Sequence, residues 1–212
     1  MSVQEVSAAG TSIWLDDLSR AKITSPHAHA LPARIQNSGV VGVTTNPSIF
    51  SAAISGAAEY AADIALMKSS SVDEVVKKLT TDDVRQACDL FTSIYEASKG
   101  VDGRVSIEVD PRLAHDTEGT IAAGKELWEI IDRPNLMIKV PATIEGLPAI
   151  TELIAAGISV NVTLIFSVKR YGQVIEAYIK GIEQCEDPSK VHSVASFFIS
   201  RIDSSIDGLL KK

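Results

Sequence analysis

Six short apolar runs are spaced along the chain, each bounded by glycine, proline or polar residues, and the segments between them carry apolar residues at helical spacing. The runs fall at residues 12–17, 39–47, 104–111, 136–140, 157–166 and 191–198. Residues 1–11 are small and polar and predict a loose or partly helical lead-in. Pro26 and Pro32 break residues 18–37 into short helical pieces, and the alanine-rich residues 48–69 predict one helix. Two more helices are predicted over 71–79 and 81–98, where Asp82 and Asp83 suit a first turn. Others follow over 117–133, 147–156 and 167–183, with a last one after the sixth run. Asn46 before Pro47 and Asp110 before Pro111 have the form of a helix cap followed by proline at the first helical position.

Strands alternating with helices in this way predict parallel α/β architecture with covered strands. An eight-stranded barrel of this kind typically takes about 250 residues, and here the strand-like runs are used up by residue 200. The expectation is a single domain over residues 1–212. It is a parallel (β/α) barrel of the eight-stranded type, incomplete at its C-terminus after the sixth strand, with its first and sixth strands left as edges.

Composition narrows the function. Of 212 residues, 45% are hydrophobic and 22% charged, as in an ordinary folded protein, and the net charge of -7 offers nothing to nucleic acid or an anionic membrane. Any phosphate site must therefore be local. The N-terminus lacks the basic and apolar pattern of a signal peptide and no apolar run is long enough for a bilayer, so the expected location is the cytoplasm. Cys88 and Cys185 lack metal-ligand spacing, and His27, His29, His115 and His192 form no ligand pattern. Neither a metal nor a cofactor is expected.

Lys139 stands out against this background. Leu136-Met137-Ile138-Lys139-Val140 places one ammonium in a run that otherwise reads as a buried strand. Burial disfavours a charged amine, and a desolvated lysine is a usable nucleophile near neutral pH. A lysine at a strand end can also snorkel to water or pair with an acid. The run alone leaves the two readings even.

The neighbouring strands sharpen the choice, because alternate side chains in a strand share a face. Lys139 facing inward sends Leu136, Ile138 and Val140 outward. The same test groups Glu108 with Ser106, Asn161 and Thr163 with Ser159 opposite Val160, Val162 and Leu164, Thr44 with Asn46, and Ser196 with His192, while Asp16 falls opposite Leu15. Barrel active sites are built at such C-terminal strand ends. Singly each residue has an ordinary explanation, Asn46 as a helix cap above all. Together they are costly to bury without a use, because buried polar groups need partners.

Several motifs together resemble the transaldolase family, in the order that family uses. They are Trp14-Leu15-Asp16-Asp17, Gly42-Val43-Thr44-Thr45-Asn46-Pro47-Ser48, Val105-Ser106-Ile107-Glu108-Val109-Asp110, Met137-Ile138-Lys139-Val140-Pro141-Ala142-Thr143, Asn161-Val162-Thr163-Leu164-Ile165-Phe166 and Ser196-Phe197-Phe198-Ile199-Ser200-Arg201-Ile202-Asp203. The resemblance implies an eight-stranded barrel whose lysine forms an imine with a ketose phosphate and passes a dihydroxyacetone unit to an aldose phosphate. The typical exchange links sedoheptulose 7-phosphate and glyceraldehyde 3-phosphate with erythrose 4-phosphate and fructose 6-phosphate.

By the resemblance, Lys139 is the Schiff-base lysine and Asp16 the acid/base at the C4 hydroxyl, with a shift to Asp17 left open. Glu108 and Thr163 hold the water of carbinolamine dehydration. Asn46, Asn161 and Ser196 bind the dihydroxyacetone part, with Thr44 counted among the substrate-binding residues, and Arg201 binds phosphate. The family has two further strands, and phosphate-binding residues on the seventh are absent from this sequence. Asp16-Asp17 and Val140-Pro141 also differ from its best-known members.

The expected partners are sugar phosphates, with a homodimer as a further expectation. Two alternatives stay open. One is a fructose 6-phosphate aldolase-like enzyme that releases free dihydroxyacetone, disfavoured because the helical segments between the second and third strands are long for that type. The other is an inactive fragment or scaffold that dimerises through its exposed edges. A metal-dependent aldolase is disfavoured by the scattered histidines.

Overall fold

The computed structural model describes residues 3–211 and alternates strands and helices as the pattern predicts. In chain order the elements are α1 (Val3–Ala8), β1 (Ile13–Asp16), α2 (Arg20–Thr24), α3 (Leu31–Ser38), β2 (Val40–Thr44), α4 (Pro47–Ile54), α5 (Ala61–Leu66), α6 (Val72–Ala97), β3 (Arg104–Glu108) and α7 (Thr117–Ile131). They continue with β4 (Leu136–Pro141), α8 (Gly146–Ala155), β5 (Val160–Ile165), α9 (Val168–Gln184), β6 (Ser193–Phe197) and α10 (Ile199–Leu210). This is a parallel α/β fold. The chain divides into two compact units, Met1–Glu108 with Leu127–Leu136, and Val109–Glu126 with Met137–Lys212. Of the predicted span 1–212, residues 1, 2 and 212 lie outside the described residues.

In the first unit β1, β2 and β3 are parallel neighbours, with Asp16 beside Thr44 and Val43 beside Val105. Trp14 packs flat onto β2, where a Cβ at Gly42 would sit 2.7 Å from the indole; only glycine permits this approach. Asn46 caps α4, its Oδ1 accepting from the Ile49 N–H at 3.0 Å, and Pro47 takes the first helical position.

The helical region between β2 and β3 departs from expectation twice. Residues 48–69 do not form one helix: α4 stops at Ile54, Gly56 turns the chain with φ +74°, and a 3-10 turn at Ala58–Tyr60 leads into α5. Conversely, 71–79 and 81–98 are a single helix, α6. Thr80 and Thr81 do not break it because their hydroxyls donate to the carbonyls of Val76 and Lys77, at 2.9 and 2.8 Å. Ser71 and Glu74 start α6 with a capping box, and Leu79, Val84, Ala87, Cys88 and Phe91 form its buried stripe.

A polar cluster lies among these helices. Asp83 is fully buried, its Oδ2 accepting from the Tyr60 hydroxyl at 2.6 Å and its Oδ1 from Arg20 Nε at 2.9 Å. The Arg20 backbone N–H donates to the Tyr60 oxygen at 2.9 Å, and its guanidinium lies 4.7 Å over the Tyr60 ring and pairs with Asp63. Burial pushes the Asp83 carboxyl above its ordinary range, against the opposing pull of Tyr60 and Arg20.

In the second unit β4, β5 and β6 are parallel neighbours. β4 is buried along its whole length and includes Pro141, one residue beyond its predicted end. Gly124 of α7 lets that helix close on Ile138 and Leu153, and Gly181 of α9 approaches Ile154 of α8 in the same way. Val194 and Phe197 of β6 and Ile206, Leu209 and Leu210 of α10 are exposed. Among the described residues no single helix is long and apolar enough to cross a membrane; the α4–α5 region reaches that composition only as a pair bent by 90°.

Candidate active site

The predicted site residues fall into two groups, one in each unit. In the second unit the fully apolar flanks of β4 bury Lys139, which is 2% exposed. The register sets Lys139 beside Asn161 and Pro141 beside Thr163, so these four side chains share a face, as the alternation predicts. Ser196 of β6 donates from its hydroxyl to Asn161 Oδ1 at 2.7 Å, which orients that amide. Thr163 is 1% exposed and its Oγ1 has no hydrogen-bond partner. Its carbonyl accepts from the Ala142 N–H at 2.8 Å, and the Lys139 carbonyl accepts from the Val109 N–H at 3.1 Å. The backbone around the amine is thus held on both sides.

Arg201, in the first turn of α10, is exposed and lies 4.3 Å over the ring of Phe198, whose centroid is 5.9 Å from Lys139 Nζ. Phe166, just after β5, stands 6.3 Å from the same ring. Phe198, which the sequence assigns no role, thus lies within cation–π range of both predicted cations. Its signal was positional: Phe166 and Phe198 each follow the last residue of a strand.

The loop after β4 is fixed by Thr143, whose hydroxyl accepts from the Gly146 N–H at 2.9 Å and donates to the Ala114 carbonyl at 2.6 Å. Glu145 pairs with His115 at 3.1 Å, which holds its carboxyl below the usual range.

The first unit holds Asp16, Thr44, Asn46 and Glu108. Asp16 ends β1 and is exposed, beside Thr44 at the end of β2, whose Oγ1 is buried without a partner. Asp17, the alternative acid, is occupied by an ion pair with Lys22. Asn46 is a helix cap as its ordinary explanation required, and the cap uses only Oδ1 of its amide. Glu108 ends β3, half-buried. Among the described residues no group of three or more His, Cys, Asp or Glu side chains is placed to hold a metal ion.

Chemically, the second unit presents an amine on a face with an amide, an unpartnered hydroxyl and an aromatic wall, which suits attack on a carbonyl. Comparison with known proteins agrees with that class. The family described as transaldolase/fructose-6-phosphate aldolase matches residues 13–212, and the chain belongs to this family. Curated relatives carry the name transaldolase. That of Mycolicibacterium smegmatis is 57% identical over 98% of this chain, and that of Saccharopolyspora erythraea is 54% identical over 99%. That of Acidothermus cellulolyticus is 55% identical over 98%. The chain spans 57%, 58% and 57% of these three relatives.

Proposed function

We propose that the protein works as a transaldolase, taking a dihydroxyacetone unit from a ketose phosphate and giving it to an aldose phosphate through an imine at Lys139. The observation that carries this is the buried amine of β4 in register with Asn161 and next to the unpartnered hydroxyl of Thr163. The Lys139 nitrogen adds to the ketose carbonyl; the carbonyl oxygen then leaves as water, with a proton supplied as the carbon–nitrogen double bond forms. Cleavage of C3–C4 leaves its electron pair in the imine, which serves as the sink, while the C4 hydroxyl proton passes to a base.

The role of that base goes to Asp16, and the water of dehydration to Glu108 and Thr163. Asn161 and Ser196, with Thr44 and Asn46, hydrogen-bond the three-carbon unit, and Arg201 takes a phosphate. For the residues of the first unit these roles rest on the family's sequence pattern. The eight-stranded barrel type, a cytoplasmic location, sugar-phosphate substrates and a homodimer belong to the same reading, supported by the alternating parallel fold, the composition and the family.

The test is product analysis with fructose 6-phosphate, with and without erythrose 4-phosphate. Formation of sedoheptulose 7-phosphate and glyceraldehyde 3-phosphate that depends on the acceptor is expected. Acceptor-independent release of dihydroxyacetone would replace transfer with simple aldol cleavage.

A further inference from the structure

β5 carries one residue more than β6 at the end where Thr163 stands. Val162 pairs with Ala195 and Ile165 with Phe197, three steps along β5 against two along β6, which makes a β-bulge. The extra residue is absorbed at Leu164, whose φ of 61° lies in the left-handed region where a leucine Cβ crowds the backbone. A bulky residue stays there only when its surroundings enforce it.

The bulge decides which side chains share the lysine face. Ala195 and Phe197 are two apart and lie on one face of β6, so their partners Val162 and Ile165 lie on one face of β5. Plain alternation would instead put Ile165 on the face of Asn161 and Thr163. Because of Leu164, Ile165 is buried on the other face, while Thr163 keeps its place on the lysine face with its hydroxyl buried and unpartnered.

We infer that Leu164 is a positioning residue: its left-handed backbone clears Ile165 from the lysine face and leaves the Thr163 hydroxyl open to the water lost when Lys139 condenses with a carbonyl. The inference rests on the Schiff-base reading above. It makes the backbone conformation, and not the leucine side chain, the functional feature.

Three variants of the 212-residue chain separate these. Glycine and asparagine accept the left-handed conformation, whereas β-branched valine resists it. Borohydride trapping of fructose 6-phosphate on Lys139 is expected to be about 100-fold slower in Leu164→Val than in the parent chain. Leu164→Gly and Leu164→Asn should trap at least about tenfold faster than Leu164→Val, with half-saturating sugar changed less than about threefold in all. Thermal unfolding should rank the glycine and asparagine variants above valine. A packing role predicts the reverse order, with valine mildest and glycine worst, and that order in unfolding overturns the inference whether or not any imine forms. Equal trapping in Leu164→Val, with an adduct on Lys139 of the parent chain, overturns the inference alone. No adduct in the parent chain removes the Schiff-base reading and the inference with it.

Discussion

Two regions bury polar side chains among apolar ones, and they are completed differently. Around Asp83 the groups answer one another: Tyr60 and Arg20 donate to the two carboxylate oxygens, and the Tyr60 oxygen also accepts from the Arg20 backbone. Near Lys139 one hydroxyl is left open. Ser196 satisfies Asn161 Oδ1, but Thr163 Oγ1 is buried with nothing to bond. A closed network fixes elements in place, here α2, the turn before α5, and α6. An open one keeps bonding capacity for a ligand, at a cost in stability of about 1–3 kcal/mol for each group left unpaired.

The largest expected effect separates the two by activity. Lys139→Met should lower imine trapping by about 1,000-fold or more. Trapping that persists in Lys139→Met would take this amine out of the reaction.

Next is the closed network. Asp83→Ala should destabilise the fold by about 3 kcal/mol in urea unfolding, since it leaves the buried Tyr60 hydroxyl and Arg20 Nε without their acceptor, while Arg20 keeps its pair with Asp63. A change below about 1 kcal/mol would show the cluster to be no tighter than a surface pair.

A matched pair of hydroxyl deletions then contrasts the regions directly. Tyr60→Phe should cost about 1.5–3 kcal/mol, the range for a hydrogen bond to a charged group, whereas Thr163→Val should cost nothing or stabilise. Thr163→Val should also slow imine formation by about 100-fold. Equal stability losses in the two variants would mean that Thr163 is satisfied within the fold.

The smallest effect is a pH dependence. Burial raises the Asp83 carboxyl above its ordinary 3.8, so the folded state holds this proton to higher pH than the unfolded chain. Its contribution is fully present below that value and is lost as pH rises through the folded pKa. The stability difference between the parent chain and Asp83→Asn, measured by urea unfolding at several pH values, should therefore shrink with rising pH and then level off. A difference that grows with pH would mean that pairing with Arg20 outweighs burial.

Strand order, the Lys139 face and the Asn46 cap were readable from the sequence because each depends on residues close together in the chain. Alternation alone put Asn161 and Thr163 on one face and Val162 on the other, and the register agrees. The same alternation failed one residue later. Leu164 read as an ordinary strand residue opposite Thr163, and nothing in Val162-Thr163-Leu164-Ile165 announces a left-handed backbone, which is imposed by the pairing with β6. The Arg20–Asp83 pair was hidden for a related reason: its partners are 63 positions apart, and Asp83 was assigned to a helix start when it lies inside α6. Phe198 stood in a recognised motif, but its closeness to Lys139 and Arg201 depends on the turn into α10. Local pattern places side chains on faces; which faces are closed and which stay open is decided by pairing.

The central claim is that the buried amine on the open face is the nucleophile. Reduction with sodium borohydride in the presence of fructose 6-phosphate, followed by peptide mass mapping, tests it most directly. The predicted result is one reduced adduct, on Lys139, that disappears in Lys139→Met. An adduct on another lysine, or none on any, would contradict it.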